Sequence, residues 1–132
     1  MYIHEGKTNI LIVDNDERIL GTFQKLLEDE GSSTVSTWSG REALSLLRSG
    51  LFHVLLVDDY LPDLHAYNFL HRVGRLAVQS RVVVMQGSMP TSIELQRYER
   101  LGAATVVDKR DSGMVRQALY QYCAEKPLTS IN

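Results

Sequence analysis

A single cysteine, Cys123, rules out an internal disulfide, so whatever fold the 132 residues adopt has to rest on its apolar core, with a buried or half-buried thiol. Charge of one sign is also missing. Fourteen Lys and Arg against sixteen Asp and Glu give a net charge of −2, which excludes the broad basic field that binds nucleic-acid phosphates. No apolar run approaches the roughly 18 residues of a membrane span, and Met1–Thr8 is too short and polar for a signal peptide. These absences predict a cytoplasmic protein with no direct nucleic-acid or membrane partner. With 44% hydrophobic and 23% charged residues the chain has the balance of a globular domain. A domain of this length buries roughly two-thirds of the surface it exposes when unfolded. The predicted organisation is a leader over 1–8, one domain over 9–124 and a tail over 125–132.

Asn9–Val13 is a continuous apolar run that ends in Asp14-Asn15-Asp16, the pattern of a buried strand meeting a polar loop. Ile19, Leu20, Phe23, Leu26 and Leu27 then recur at helical spacing until Gly31, a helix stop. Ser33–Thr37 reads as a strand, and Ser39 with Glu42 three residues later opens a second helix. His53–Val57 is a third strand, ended by Asp58-Asp59, with Pro62 in the following loop and a helix over Ala66–Val73. The remaining pairs are Arg81–Met85 with Thr91–Leu101, stopped by Gly102, and Ala104–Val107 with Ser112–Ala124, stopped by Pro127. Near-continuous apolar strands alternating with helices predict an α/β fold: a doubly wound parallel sheet with helices on both faces.

In such a sheet the ligand site lies beyond the carboxyl ends of the strands. Asp14, Asn15, Asp16, Asp58, Asp59, Gln86, Ser88, Asp108 and Lys109 all fall there. Carboxylates at the ends of two neighbouring strands form an all-oxygen site suited to Mg²⁺, which takes one or two carboxylates plus waters and phosphate oxygens. The cation relieves repulsion between the acids, leaving one free to attack phosphorus as a nucleophile. Lys109 brings a positive charge for another phosphoryl oxygen.

The segments ILIVDND, LLVDDYLPD and GAATVVDK, together with Ser39-Gly40-Arg41-Glu42-Ala43-Leu44, resemble the signatures of response-regulator receiver domains in two-component signalling. The resemblance spans nearly the whole chain. It implies a five-stranded (βα)5 domain with strand order 2-1-3-4-5. It also implies a phosphoacceptor aspartate charged by a histidine kinase or phosphotransfer protein. Asp58 with Pro62 has the family's acceptor spacing, whereas the fourth residue after Asp59 is Asp63. The metal set then maps to Asp14, Asn15, Asp58 and the Tyr60 backbone carbonyl. Lys109, Gln86, Gly87 and Ser88 map to the phosphate contacts, and Gln86 and Val106 to the switch positions. The domain would signal rather than catalyse turnover, through a downstream protein or an output domain outside this chain.

Several positions depart from that pattern. Asn15 removes a charge from the metal set and predicts weakened Mg²⁺ binding. Gln86 takes the place of the switch hydroxyl, with Ser88 two residues on, and Val106 replaces the switch aromatic. Arg110 stands where the family has a cis-linked proline. A non-proline cis bond costs about 3 kcal/mol, which predicts a trans bond and a re-aimed Lys109. His65-Ala66 replaces a common Asp-Gly pair, and Ala66 accepts positive φ poorly, which predicts a different loop path.

Asp16 and Asp63 read individually as loop or helix caps, His65 as a surface histidine, and His53 and His71 as structural or exposed. Trp38 is expected to pack over the site's edge. Tyr98, Tyr120 and Tyr122, with Met114 and Val115, exceed what the core needs and point to a homodimer or partner surface on the last two helices. Two other functions stand beside the phosphoacceptor. One is a phosphorylation-independent pseudo-receiver that acts as an interaction module. The other, a flavodoxin-like enzyme, would want a Ser/Thr/Gly-rich phosphate loop where Asp14-Asn15-Asp16 stands.

Overall fold

The computed structural model of the chain describes residues 7–76 and 78–125. Most of the expected leader, Pro127 and the tail beyond Glu125 lie outside them. The elements run β1 (Asn9–Val13), α1 (Glu17–Asp29), β2 (Ser33–Thr37), α2 (Gly40–Ser49), β3 (Val54–Asp58), α3 (Ala66–Arg75), β4 (Arg81–Gln86), α4 (Ser92–Arg100), β5 (Thr105–Asp108) and α5 (Ser112–Glu125). All neighbouring strands are parallel, in the order β2-β1-β3-β4-β5. Doubly wound topology with this order is the one predicted.

Alternation along the strands divides the core in two. Leu11, Val13, Leu55, Val57, Val82, Val84 and Val106 pack with Leu44, Leu47, Phe69, Leu70, Val73 and Tyr98 of α2, α3 and α4. Ile10, Ile12, Val54, Leu56, Val83, Met85 and Val107 pack with Phe23, Leu27, Val115, Ala118 and Leu119 of α1 and α5. Both faces of β1 and β3 are therefore covered, and every residue in those strands is buried. That is why they read as unbroken apolar runs.

The last three strands each reach one residue further than their apolar runs. The ladder continues through Asp59 N–H to Met85 O at 2.8 Å and Lys109 N–H to Gln86 O at 2.9 Å. Asp58, Gln86 and Asp108 are thus sheet residues, not loop residues.

The helix signals act locally as expected in most cases. The Asp16 carboxylate accepts from Arg18 N–H and caps α1. Thr91 and Glu94 form a reciprocal capping box on α4. Gly31 and Gly102 take φ of 92° and 104°, which L side chains rarely adopt, and end α1 and α4. The start of α2 differs. Ser39 accepts from Glu42 N–H at 3.1 Å, but the Glu42 carboxylate turns to the Thr37 hydroxyl, and Ser39 N–H donates to Thr37 Oγ1.

Candidate functional site

Asp14 follows β1 and Asp58 ends β3; the two strands are neighbours with Val13 opposite Val57, which puts the two acids side by side at the sheet's carboxyl edge. Asp14 is fully buried and Asp58 is 3% exposed. Lys109, arriving from the end of β5, lies across both: its Nζ is 2.9 Å from Asp58 Oδ1 and 3.5 Å from Asp14 Oδ2. The other Asp14 oxygen, Oδ1, accepts from Asp16 N–H at 2.9 Å.

Burial pushes the Asp14 carboxyl above its ordinary value; the Asp16 N–H opposes this, and the nearby Asp58 charge adds to it. Burial likewise raises Asp58, against the hydrogen bond and charge of Lys109. Half-buried Asp59 is raised by desolvation as well. For Lys109, burial works downward, but the contacts with Asp58 and Asp14 outweigh it and hold the ammonium above its usual range. The site is a compact cluster of crowded acids with one cation drawn onto it.

No cis peptide bond occurs among the described residues, as predicted for the Lys109–Arg110 junction, but Lys109 is not re-aimed. The reason is Arg110. Its guanidinium closes back on Asp108 in two parallel contacts, Nε to Oδ1 at 3.0 Å and Nη2 to Oδ2 at 2.8 Å, while its N–H meets the same Oδ1 at 2.9 Å. Backbone and side chain of one residue grip the strand's last carboxylate and hold the turn that presents Lys109.

Asn15 is exposed next to Asp14, and Asp16 is committed to its cap and to Arg18. Gln86 is 4% exposed, yet its amide faces the β4–α4 loop: Nε2 lies 3.2 Å from Ser88 O, 3.4 Å from Ser88 Oγ and 3.2 Å from Glu94 Oε1. β4 stops at Gln86, so Gly87 and Ser88 are exposed loop residues beyond the sheet. Val106 is 1% exposed and fills the core beside α4.

The loop after β3 is pinned by buried Leu61 and Leu64 and by a bridge between Tyr60 and His65. His65 is the N-cap of α3, its Nδ1 accepting from Tyr67 N–H at 3.2 Å, and Ala66 is helical, so no positive φ is needed there. Asp63 reaches back to the start of α2: its carboxylate accepts from Ser39 Oγ at 2.8 Å, Gly40 N–H at 3.0 Å and Arg41 N–H at 3.1 Å. The Ser39 signal and a capping role for Asp63 were both visible in the sequence; that Asp63 caps the same helix as Ser39, 24 residues away, was not. Trp38 is 69% exposed and does not pack down as a cover. His53 is buried, with Nδ1 accepting from Asn9 N–H, and His71 is exposed.

The response regulator receiver domain model matches residues 10–120, nearly the whole described chain. The chain belongs to the response-regulator receiver family. A curated relative of this receiver, the response regulator SaeR of Staphylococcus aureus, is 32% identical over 68 residues, which cover 52% of this chain and 29% of SaeR. The chain thus aligns with under a third of that relative's length. Among solved structures the receiver resembles the chemotaxis protein CheY4 of Vibrio cholerae, at 19% identity and TM-score 0.79, covering 89% of this chain and 99% of that one. It also resembles a response regulator receiver domain protein from Clostridium thermocellum, at 20% identity and TM-score 0.80, covering 92% and 98%. These likenesses show the fold.

Receiver domains generally bind Mg²⁺ at the acidic pocket. The residues of this receiver fit that ion: two buried carboxylates, raised by burial and, in Asp14, by its neighbour's charge, form the kind of oxygen-rich, mutually repelling pair a divalent cation relieves. No group of three or more His, Cys, Asp or Glu suited to a metal exists among the described residues.

Proposed function

We propose that this receiver accepts a phosphoryl group on Asp58 from a phosphohistidine of a kinase or phosphotransfer protein, and that the modified domain presents a changed surface to a protein partner or an output domain outside this chain. The observation that carries the reading is the Asp58–Lys109–Asp14 cluster, in which a strand-end carboxylate is held beside one lysine and one further acid. An Asp58 oxygen attacks phosphorus; the P–O bond forms as the P–N bond to imidazole breaks, and the imidazole leaves with the bonding pair. Lys109 is already in hydrogen-bond range of Asp58 and follows the charge onto the phosphoryl oxygens. Asp14, Asn15, Asp58 and the Tyr60 carbonyl would hold Mg²⁺, which when bound neutralises charge between the carboxylates and the incoming group. Asn15 makes that hold weaker than a second acid would. Exposed Tyr120 on α5 is where a homodimer through α4 and α5 would make contact, although its hydroxyl already donates to Glu30 on α1 at 2.6 Å.

Incubation with acetyl phosphate and Mg²⁺ tests the proposal. Intact mass spectrometry should show one added phosphate on the wild type and none on Asp58→Asn. An unmodified wild-type spectrum would refute it and leave the pseudo-receiver as the function.

A further inference from the structure

α3 and α4 cover the face of the sheet opposite α1 and α5, and a groove of about 360 Å³ lies between them. One wall is a single stripe of α4 and its C-cap: Ile93, Gln96, Arg97, Arg100 and Leu101, at helical spacings of three and four. Its two apolar ends are open to solvent, Ile93 at 66% and Leu101 at 36% exposure. Eight helical residues separate them, or about 12 Å. The other wall is Tyr67 of α3, and it is fixed. Its ring centroid lies 4.9 Å from that of His65 and 5.0 Å from that of buried Tyr98, and its hydroxyl accepts from Arg97 Nη1 at 3.3 Å. Tyrosine and arginine are the side chains that dominate binding hot spots, and a wall already held in place loses little freedom on binding.

The charge of the groove is of one sign although the chain as a whole is slightly acidic. Neither Arg97 nor Arg100 is in an ion pair with a described residue. α3 contains no acid and carries Arg72 and Arg75 in its last turn. The two acids of α4 point elsewhere: Glu94 is held by Thr91 and Gln86, and Glu99 lines the opposite flank with Ser80 and Ala103.

We propose that the α3–α4 groove docks an acidic amphipathic helix of a partner protein, with apolar side chains against Ile93 and Leu101 and carboxylates between them on Arg97 and Arg100. Apolar residues seven apart on such a helix are about 10.5 Å from one another, close to the span between the two apolar ends. Helices that bind in grooves are read by anchors at this spacing. The docking involves neither α5 nor a phosphoryl group, so it stands apart from the acceptor chemistry of Asp58.

Selection of a phage-displayed library of random peptides, each about four helical turns long, against the unphosphorylated chain tests the proposal. Enriched peptides should carry Asp or Glu between apolar residues seven apart. Synthesised and labelled, they should shift the amides of Tyr67, Gln96 and Leu101. Arg97→Glu should weaken their binding by roughly tenfold in fluorescence anisotropy, because like charges then face each other. Arg100→Glu serves as the second variant if circular dichroism shows that the first does not fold. Arg48→Glu makes the same change of charge on α2, outside the groove, and should bind as the wild type does. Enrichment without acidic residues, affinity unchanged in the groove variant, or an equal loss in Arg48→Glu overturns the proposal. Wild-type dimers that Arg97→Glu dissociates in analytical ultracentrifugation would assign the groove to a second copy and overturn it as well. None of these outcomes bears on phosphate uptake by Asp58.

Discussion

Lys109 Nζ meets Asp58 Oδ1 at 2.9 Å although 51 positions separate the two residues in the chain. Both lie at carboxyl ends of strands, with β4 between them, so the pair exists only because β3, β4 and β5 are consecutive in the sheet. The ammonium that pairs with the Asp58 carboxylate at rest is the one that, in the proposed transfer, would follow the charge outward.

Lys109→Ala removes that charge. Loss of a single positioned donor at a developing anion typically costs about 10²-fold in rate. The initial rate of phosphate incorporation from acetyl phosphate should fall by roughly that factor, while Mg²⁺ binding, followed by amide shifts, persists. A rate within a factor of two of wild type would show that Lys109 has no part in the transfer.

Asn15→Asp restores a charge beside Asp14 and should tighten Mg²⁺ binding by about tenfold, the effect of one further exposed carboxylate near the ion. Titration followed by amide shifts measures this, and EDTA should abolish phosphate uptake in both forms. Equal affinity in the two forms would mean residue 15 does not reach the metal.

Arg110→Ala opens the clasp on Asp108. The arginine is largely exposed, so the stability loss in urea should be small. Phosphate uptake should slow more than stability suggests, because the turn carrying Lys109 is no longer gripped. Wild-type uptake kinetics in this variant would show that the turn holds itself.

Asp63→Ala should destabilise the domain by about 1 kcal/mol, the usual value of an N-cap. The effect also depends on pH. Partial burial works to raise the Asp63 carboxyl, but the hydrogen bonds from Gly40, Arg41 and Ser39 outweigh it and hold the group below its ordinary value. A carboxyl depressed on folding stabilises fully above the unfolded value of about 4, and that contribution disappears as pH falls through the lower folded value. The gap between wild type and variant in urea denaturation should therefore be constant near neutrality and close on acidification below about pH 4.

Gly40→Ala tests the packing of the same junction. A Cβ there would lie 3.0 Å from Leu64 Cβ and 3.2 Å from Leu61 Cδ1, so the loop after β3 has to give way. The expected cost is about 1–3 kcal/mol by urea denaturation, the range for overpacking. A neutral or stabilising result would show that the Leu61–Leu64 loop yields freely.

The fold and the positions of the acids were legible in the sequence because they depend on local pattern: apolar runs as long as a buried strand, helical spacing, and polar residues at the run ends. That pattern plus the rule that sites form at strand carboxyl ends put Asp14, Asp58 and Lys109 among nine candidates, and the resemblance to receiver domains singled them out. The helix stops at Gly31 and Gly102 needed only glycine's tolerance of positive φ. Contacts between distant segments were not legible, because nothing in a local pattern records which loops meet. The reach of Asp63 to the start of α2, the partner chosen by Glu42, the exposure of Trp38 and the forward turn of the Gln86 amide all depend on the packing of loops against one another. Arg110 shows the division most clearly. Its identity alone argued that Lys109 would swing away, and only the folded turn, with the guanidinium closed on Asp108, kept that lysine on Asp58.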